Sequence, residues 1–78
     1  MPVNKCLTLD HFNQRYYIHD STDTDSICPV EDSIRAAHGE ENVDSWYFDE
    51  HQPANQQTQE HLDAFVAEKA AEGYTAAP

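Results

Sequence analysis

Residues 3–10, Val-Asn-Lys-Cys-Leu-Thr-Leu-Asp, alternate with the period of two that a β-strand imposes, so Val3, Lys5, Leu7 and Leu9 share one face. Residues 15–20, Arg-Tyr-Tyr-Ile-His-Asp, repeat the pattern with Tyr16 and Ile18 together. His11 to Gln14 between them has the length of a hairpin loop. One register satisfies both segments. With Asp10 opposite Arg15, Leu9 meets Tyr16, Leu7 meets Ile18 and Lys5 meets Asp20. Apolar pairs then make one continuous face, and opposite charges meet at both ends. The other face carries Thr8 opposite Tyr17 and Cys6 opposite His19.

After the hairpin the pattern lapses. Residues 20–28 are polar and unpatterned, which predicts a loop. Pro29 suits the first position of a helix with Glu31 and Asp32 in its first turn, and Gly39 suits its stop. The apolar stripe of that helix is Val30, Ile34 and Ala37, with Ile27 beside it. Glu40 to Asp44 reads as a charged connector. Residues 45–49, Ser-Trp-Tyr-Phe-Asp, predict a third strand with Trp46 and Phe48 facing one way and Tyr47 the other. Glu50 to Asn55, which contains Pro53, predicts a loop.

A second helix is expected from about Gln56 to Glu72, with Gly73 as its stop. Its buried stripe is Thr58, Leu62, Phe65 and Val66, with the Lys69 stem and the Ala70 methyl. Glu60, Ala64, Ala67 and Ala71 face solvent, Tyr74 folds back onto the last turn, and residues 75–78 fray. The expected fold class is α+β: a single β-β-α-β-α domain over residues 1–78, with a three-stranded, mostly antiparallel sheet and two helices on one face.

Size bounds this further. At 78 residues the chain has room for one modest core and none for a barrel or a doubly wound nucleotide fold. The longest run of large apolar residues is Trp46-Tyr47-Phe48, so neither a signal-peptide core nor a membrane span is expected. Two cysteines, Cys6 and Cys28, are too few for a disulfide scaffold. Both are expected as free thiols in the cytoplasm, that of the host cell if the protein is viral.

Charge is the strongest signal. Fifteen acids stand against Lys5, Arg15, Arg35 and Lys69, for a formal net charge of −11. Ten of those acids and one base lie between Asp20 and Glu50. Such a chain repels phosphate backbones and anionic lipid surfaces, so direct binding of nucleic acid or membrane is disfavoured and a basic protein surface is favoured. Acidity with scarce lysine also suits a high-salt habitat, which describes an environment rather than an activity.

Tests for particular chemistry find little. An EF-hand loop begun at Asp20 places Asp25 where glycine is required and Cys28 at the ninth position. The Asp23-Thr24-Asp25 pair lacks the parallel strand and clamping lysine of a phosphotransferase. Cys6, His11, His19, Cys28, His38, His51 and His61 match no compact zinc spacing, although the hairpin register sets Cys6 beside His19 as two potential ligands. No nucleophile-histidine-acid order and no glycine-rich phosphate loop occurs. No catalytic residue, metal or cofactor is therefore expected.

In size, charge and lack of catalytic residues the chain is similar in kind to the small acidic proteins by which phages and other mobile elements block host defence, including anti-CRISPR inhibitors and DNA mimics. That likeness implies an inhibitor that occludes the basic nucleic-acid-binding surface of a host complex. The alternatives are an acidic adaptor or structural subunit, from a halophile or its virus, and a metal-binding regulator using Cys6 and His19. The expected protein-binding residues are Tyr17 and Tyr47, placed on the uncovered sheet face, with Asp23, Asp25, Glu40, Glu41, Asp44, Asp49 and Glu50 around them.

Overall fold

The computed structural model describes residues 1–78. Strand β1 (Lys5–Asp10) and strand β2 (Arg15–Asp20) form an antiparallel hairpin in the expected register, from Lys5 opposite Asp20 to Asp10 opposite Arg15. Helix α1 (Thr24–His38) and a single 3-10 turn (Glu40–Asn42) lead into strand β3 (Val43–Phe48). Helix α2 (Gln59–Ala71) is followed by the two-residue strand β4 (Thr75–Ala76). The sheet order is β3-β1-β2-β4, with β3 antiparallel to β1 and β4 parallel to β2. The domain is thus α+β with a four-stranded mixed sheet, one strand more than expected.

The central strand explains the layering. Cys6, Leu7, Thr8 and Leu9 of β1 are all fully buried, so both faces of the sheet are covered. On the Leu7 and Leu9 face, Phe48 and Leu62 complete the core, and Trp46, Phe65 and Val66 pack against it. On the other face α1 lies across the sheet: the Ser45 hydroxyl donates to Glu31 of α1 and sits 3.1 Å from the Thr8 hydroxyl. The helices therefore take opposite faces rather than sharing one. Cys6 and Thr8 are small and Ile27 and Ile34 of α1 are buried, which gives the helix an apolar seat on that side.

Four local expectations are corrected. Helix α1 begins at Thr24, because only a helix that includes Ile27 buries it two turns before Ile34. Pro29 consequently falls inside the helix, where it has no N–H to give to the carbonyl one turn back. Ile18 occupies the core-facing side of β2 but remains 41% exposed, since β4 pairs only with Arg15 and Tyr16. Ala37 and Ala70 are exposed rather than buried.

Helix α2 starts at Gln59 because Thr58 caps it. The Thr58 hydroxyl accepts from the His61 N–H, and the Thr58 N–H donates to His61 Nδ1. Histidine here fills the place usually held by Glu or Gln in a capping box. At the other end the Tyr74 N–H reaches the Lys69 carbonyl and the Gly73 N–H reaches that of Ala70, each at 3.0 Å. Gly73, at φ 103°, allows this Schellman closure, and the Tyr74 ring packs back on the core as expected. Residues 75–76 then pair with β2 instead of fraying.

Candidate interaction surface at the hairpin end

The tight β1–β2 loop is held by one carboxylate. Asp10 Oδ1 accepts the N–H groups of Phe12 and Asn13, both at 3.0 Å, and Oδ2 accepts the Asn13 side-chain amide at 2.9 Å. Burial alone pushes the Asp10 carboxyl up, but these hydrogen bonds and nearby His38 outweigh it and hold the group below the ordinary carboxylate range. Asp10 is thus a charged residue that is only 3% exposed. Arg15, opposite it in the register, makes no ion pair.

The loop lifts Phe12 into solvent, 61% exposed, where its ring stacks on His38 of α1 at 3.8 Å and 8°. A cavity of about 320 Å³ opens between α1 and the hairpin, with Asp10, Asn13, Tyr17, Val30, Ala37 and His38 in its lining. Glu40 is paired with Arg35, which also binds Asp32 at 2.9 Å. Glu40 keeps the Arg35 guanidinium more firmly protonated than usual. Glu41 is exposed and without an ion pair, its carboxylate lying over Gly39, which at φ 95° turns the chain from α1 into the 3-10 segment.

Asp44, His11 and Tyr74 form a chain on the same end: His11 Nε2 lies 2.7 Å from Asp44 and Nδ1 lies 2.6 Å from the Tyr74 hydroxyl. A consistent arrangement has Nε2–H donating to Asp44 and the tyrosine O–H donating to Nδ1. The connectivity is that of a nucleophile relay, but none of the three residues lines a cavity. The three side chains tie β3, the hairpin loop and the C-terminal turn together.

The structure divides the expected binding residues between two ends and a covered face. Glu40, Glu41 and Asp44 gather at the hairpin end. Asp49 and Glu50 lie at the opposite end, around a second cavity of about 510 Å³ that Asp20 and His51 also line. Asp49 is buried and accepts the His51 N–H within its own turn. Asp23 and Asp25 sit at the start of α1, beyond β2. Tyr17 and Tyr47 are half-buried beneath α1 rather than open to solvent, because that face has a helix of its own. Burial, with Cys6 beside it, pushes the Tyr47 phenol up.

Cys6 and His19 do stand opposite one another. No group of three or more His, Cys, Asp or Glu side chains converges to hold a metal ion, and the buried His19 Nδ1 has no hydrogen-bond partner. Phe12 and His38 are the surface residues that sequence reasoning missed. An aromatic in a four-residue hairpin loop was the available signal, since such a side chain has no strand face to join. No helix is long and apolar enough to cross a membrane. No family model matches the chain, and no curated protein or solved structure matches it.

Proposed function

We propose that the chain is a stoichiometric inhibitor that occludes the basic nucleic-acid-binding surface of a host nucleic-acid-handling or defence complex, as anti-CRISPR inhibitors and DNA mimics do. The observation that carries this reading is where the charge is left over. Lys5 is committed to Asp20, Arg35 to Asp32 and Glu40, and Lys69 to Glu72, so three of the four cations are neutralised within the fold. The exposed acids without a basic partner, Asp25, Glu41, Glu60 and Glu68 among them, then present an uncompensated field. Carboxylates in such a field steer onto lysine and arginine side chains that otherwise hold phosphates, and an apolar anchor slows departure. Phe12, 61% exposed and stacked on His38 at the hairpin end, fits the anchor better than the half-buried Tyr17 or Tyr47.

Capture from a host lysate tests this reading. The bound protein is identified by mass spectrometry, with and without nuclease-resistant double-stranded DNA. Competition predicts a basic partner that DNA displaces. A partner retained at full yield in excess DNA overturns the mimicry and makes the chain an acidic adaptor.

A further inference from the structure

We infer that the cleft between α1 and the β1–β2 hairpin is a socket for an arginine side chain presented by the basic partner, an inference that rests on the inhibitory reading above. Asp10 lines the cleft, ionised, 3% exposed and free of any Lys or Arg counter-ion. Its Oδ1 is occupied by two backbone N–H groups, whereas Oδ2 accepts one donor, one fewer than its two lone pairs can take. A buried charge with a free acceptor site is best satisfied by a charged donor.

The rest of the lining selects the kind of cation. Val30 and Ala37 of α1 give an apolar wall suited to a methylene stem, and Tyr17 closes the other side with an aromatic ring. Phe12 stacked on His38 stands at the same end as Asp10. A planar, weakly hydrated guanidinium can lie against such rings while a single N–H reaches the carboxylate. A compact, strongly hydrated ammonium gains less from the rings and loses more water.

The socket is read directly by titrating the full chain with N-acetyl-arginine amide while recording amide spectra. Citrulline and lysine analogues serve as controls. Saturable shifts confined to Asn13, Tyr17, Val30 and Ala37, absent with citrulline and weaker with lysine, are expected. Ala37→Leu fills the cleft from an exposed helix position and abolishes those shifts. Asp10→Asn keeps an oxygen for the loop N–H groups, removes the charge, and abolishes them too. The socket is overturned if no shifts appear, if they scatter over exposed acids such as Glu41 and Glu50, or if lysine matches arginine.

The partner arm separates this inference from the one beneath it. Reduced capture of the partner by folded Ala37→Leu, with the remainder still displaced by DNA, supports the socket. Full capture by that variant overturns the socket and leaves competition standing. Capture indifferent to DNA overturns the competition reading, while the arginine titration still decides whether the socket exists.

Discussion

His11 Nδ1 and the Tyr74 hydroxyl, 2.6 Å apart, join the hairpin loop to the turn that closes α2. This contact holds the C-terminal strand at the sheet edge, where Thr75 N–H donates to Gln14 and Ala77 N–H donates to Tyr16. Tyr74→Phe keeps the ring and the helix closure but removes the hydroxyl. The expected loss is about 1 kcal/mol of stability, with faster hydrogen exchange at Thr75 and Ala77 and unchanged exchange inside α2. Exchange at Thr75 and Ala77 unchanged from the parent would show that β4 is held by its ladder alone.

The hairpin places Leu7 and Ile18 directly opposite, yet Leu7 is fully buried and Ile18 is 41% exposed. Leu7→Ala should cost about 2–5 kcal/mol, a large share of the stability of so small a domain. Ile18→Ala should stay within about 0.5 kcal/mol of the parent. Chemical denaturation of the two variants distinguishes them, and comparable losses would mean that Ile18 belongs to the core after all.

That contrast also shows what was legible in the chain and why. The register was readable because three pairings, Lys5–Asp20, Leu7–Ile18 and Leu9–Tyr16, follow from one alignment and leave no competing slip. Layering was not readable. Cys6 and Thr8 look like the solvent side of a strand, and nothing local reveals that α1 will cover them. The start of α1 was missed for a related reason: Pro29 is a strong local signal, but burial of Ile27 overrides it. Charge carries the proposal of a basic partner, whereas the hairpin-end surface depends on Phe12 and His38, which are 26 positions apart in the chain and stack only after folding.

Asp10 gives the fold an acid-sensitive point. Its folded-state pKa lies below the ordinary value of 3.8, so its stabilising contribution is fully present above that pH and is lost as pH falls through the folded value. Asp10→Asn should therefore be less stable than the parent near neutrality, with a shallower loss of stability as pH falls below the ordinary value of 3.8. Urea midpoints across that range check this, and parallel acid limbs for parent and variant would remove Asp10 from the account.

The two thiols should behave as different chemical groups. Burial pushes the Cys6 thiol up, against weaker opposing hydrogen bonds from Thr8 and Tyr47, while Cys28 is exposed on α1. A neutral, fully buried thiol is a poor nucleophile. Native chain treated with an alkylating reagent should take one label, at Cys28, and a second at Cys6 only on unfolding. Rapid native labelling of Cys6 would mean that α1 lifts from the sheet.

The hairpin end makes a kinetic prediction once the partner is in hand. Glu41 is unpaired and Glu40 neutralises Arg35, so Glu40→Gln with Glu41→Gln removes two negative charges and also frees a guanidinium at the same end. Association should slow, and its dependence on ionic strength should flatten, because steering acts over a screening length of about 8 Å at physiological salt. Phe12 is different. It carries no charge, is 61% exposed and contributes only its stack on His38 to the free protein, so Phe12→Ala should leave association almost unchanged and raise the dissociation rate. Surface plasmon resonance against the captured partner separates the two effects. Both variants must first melt like the parent, which is expected because none of these side chains touches the Leu7, Leu9, Phe48 and Leu62 core. Unchanged kinetics for both would move the interface away from this end, towards the acids around Asp20, Asp23 and Glu50.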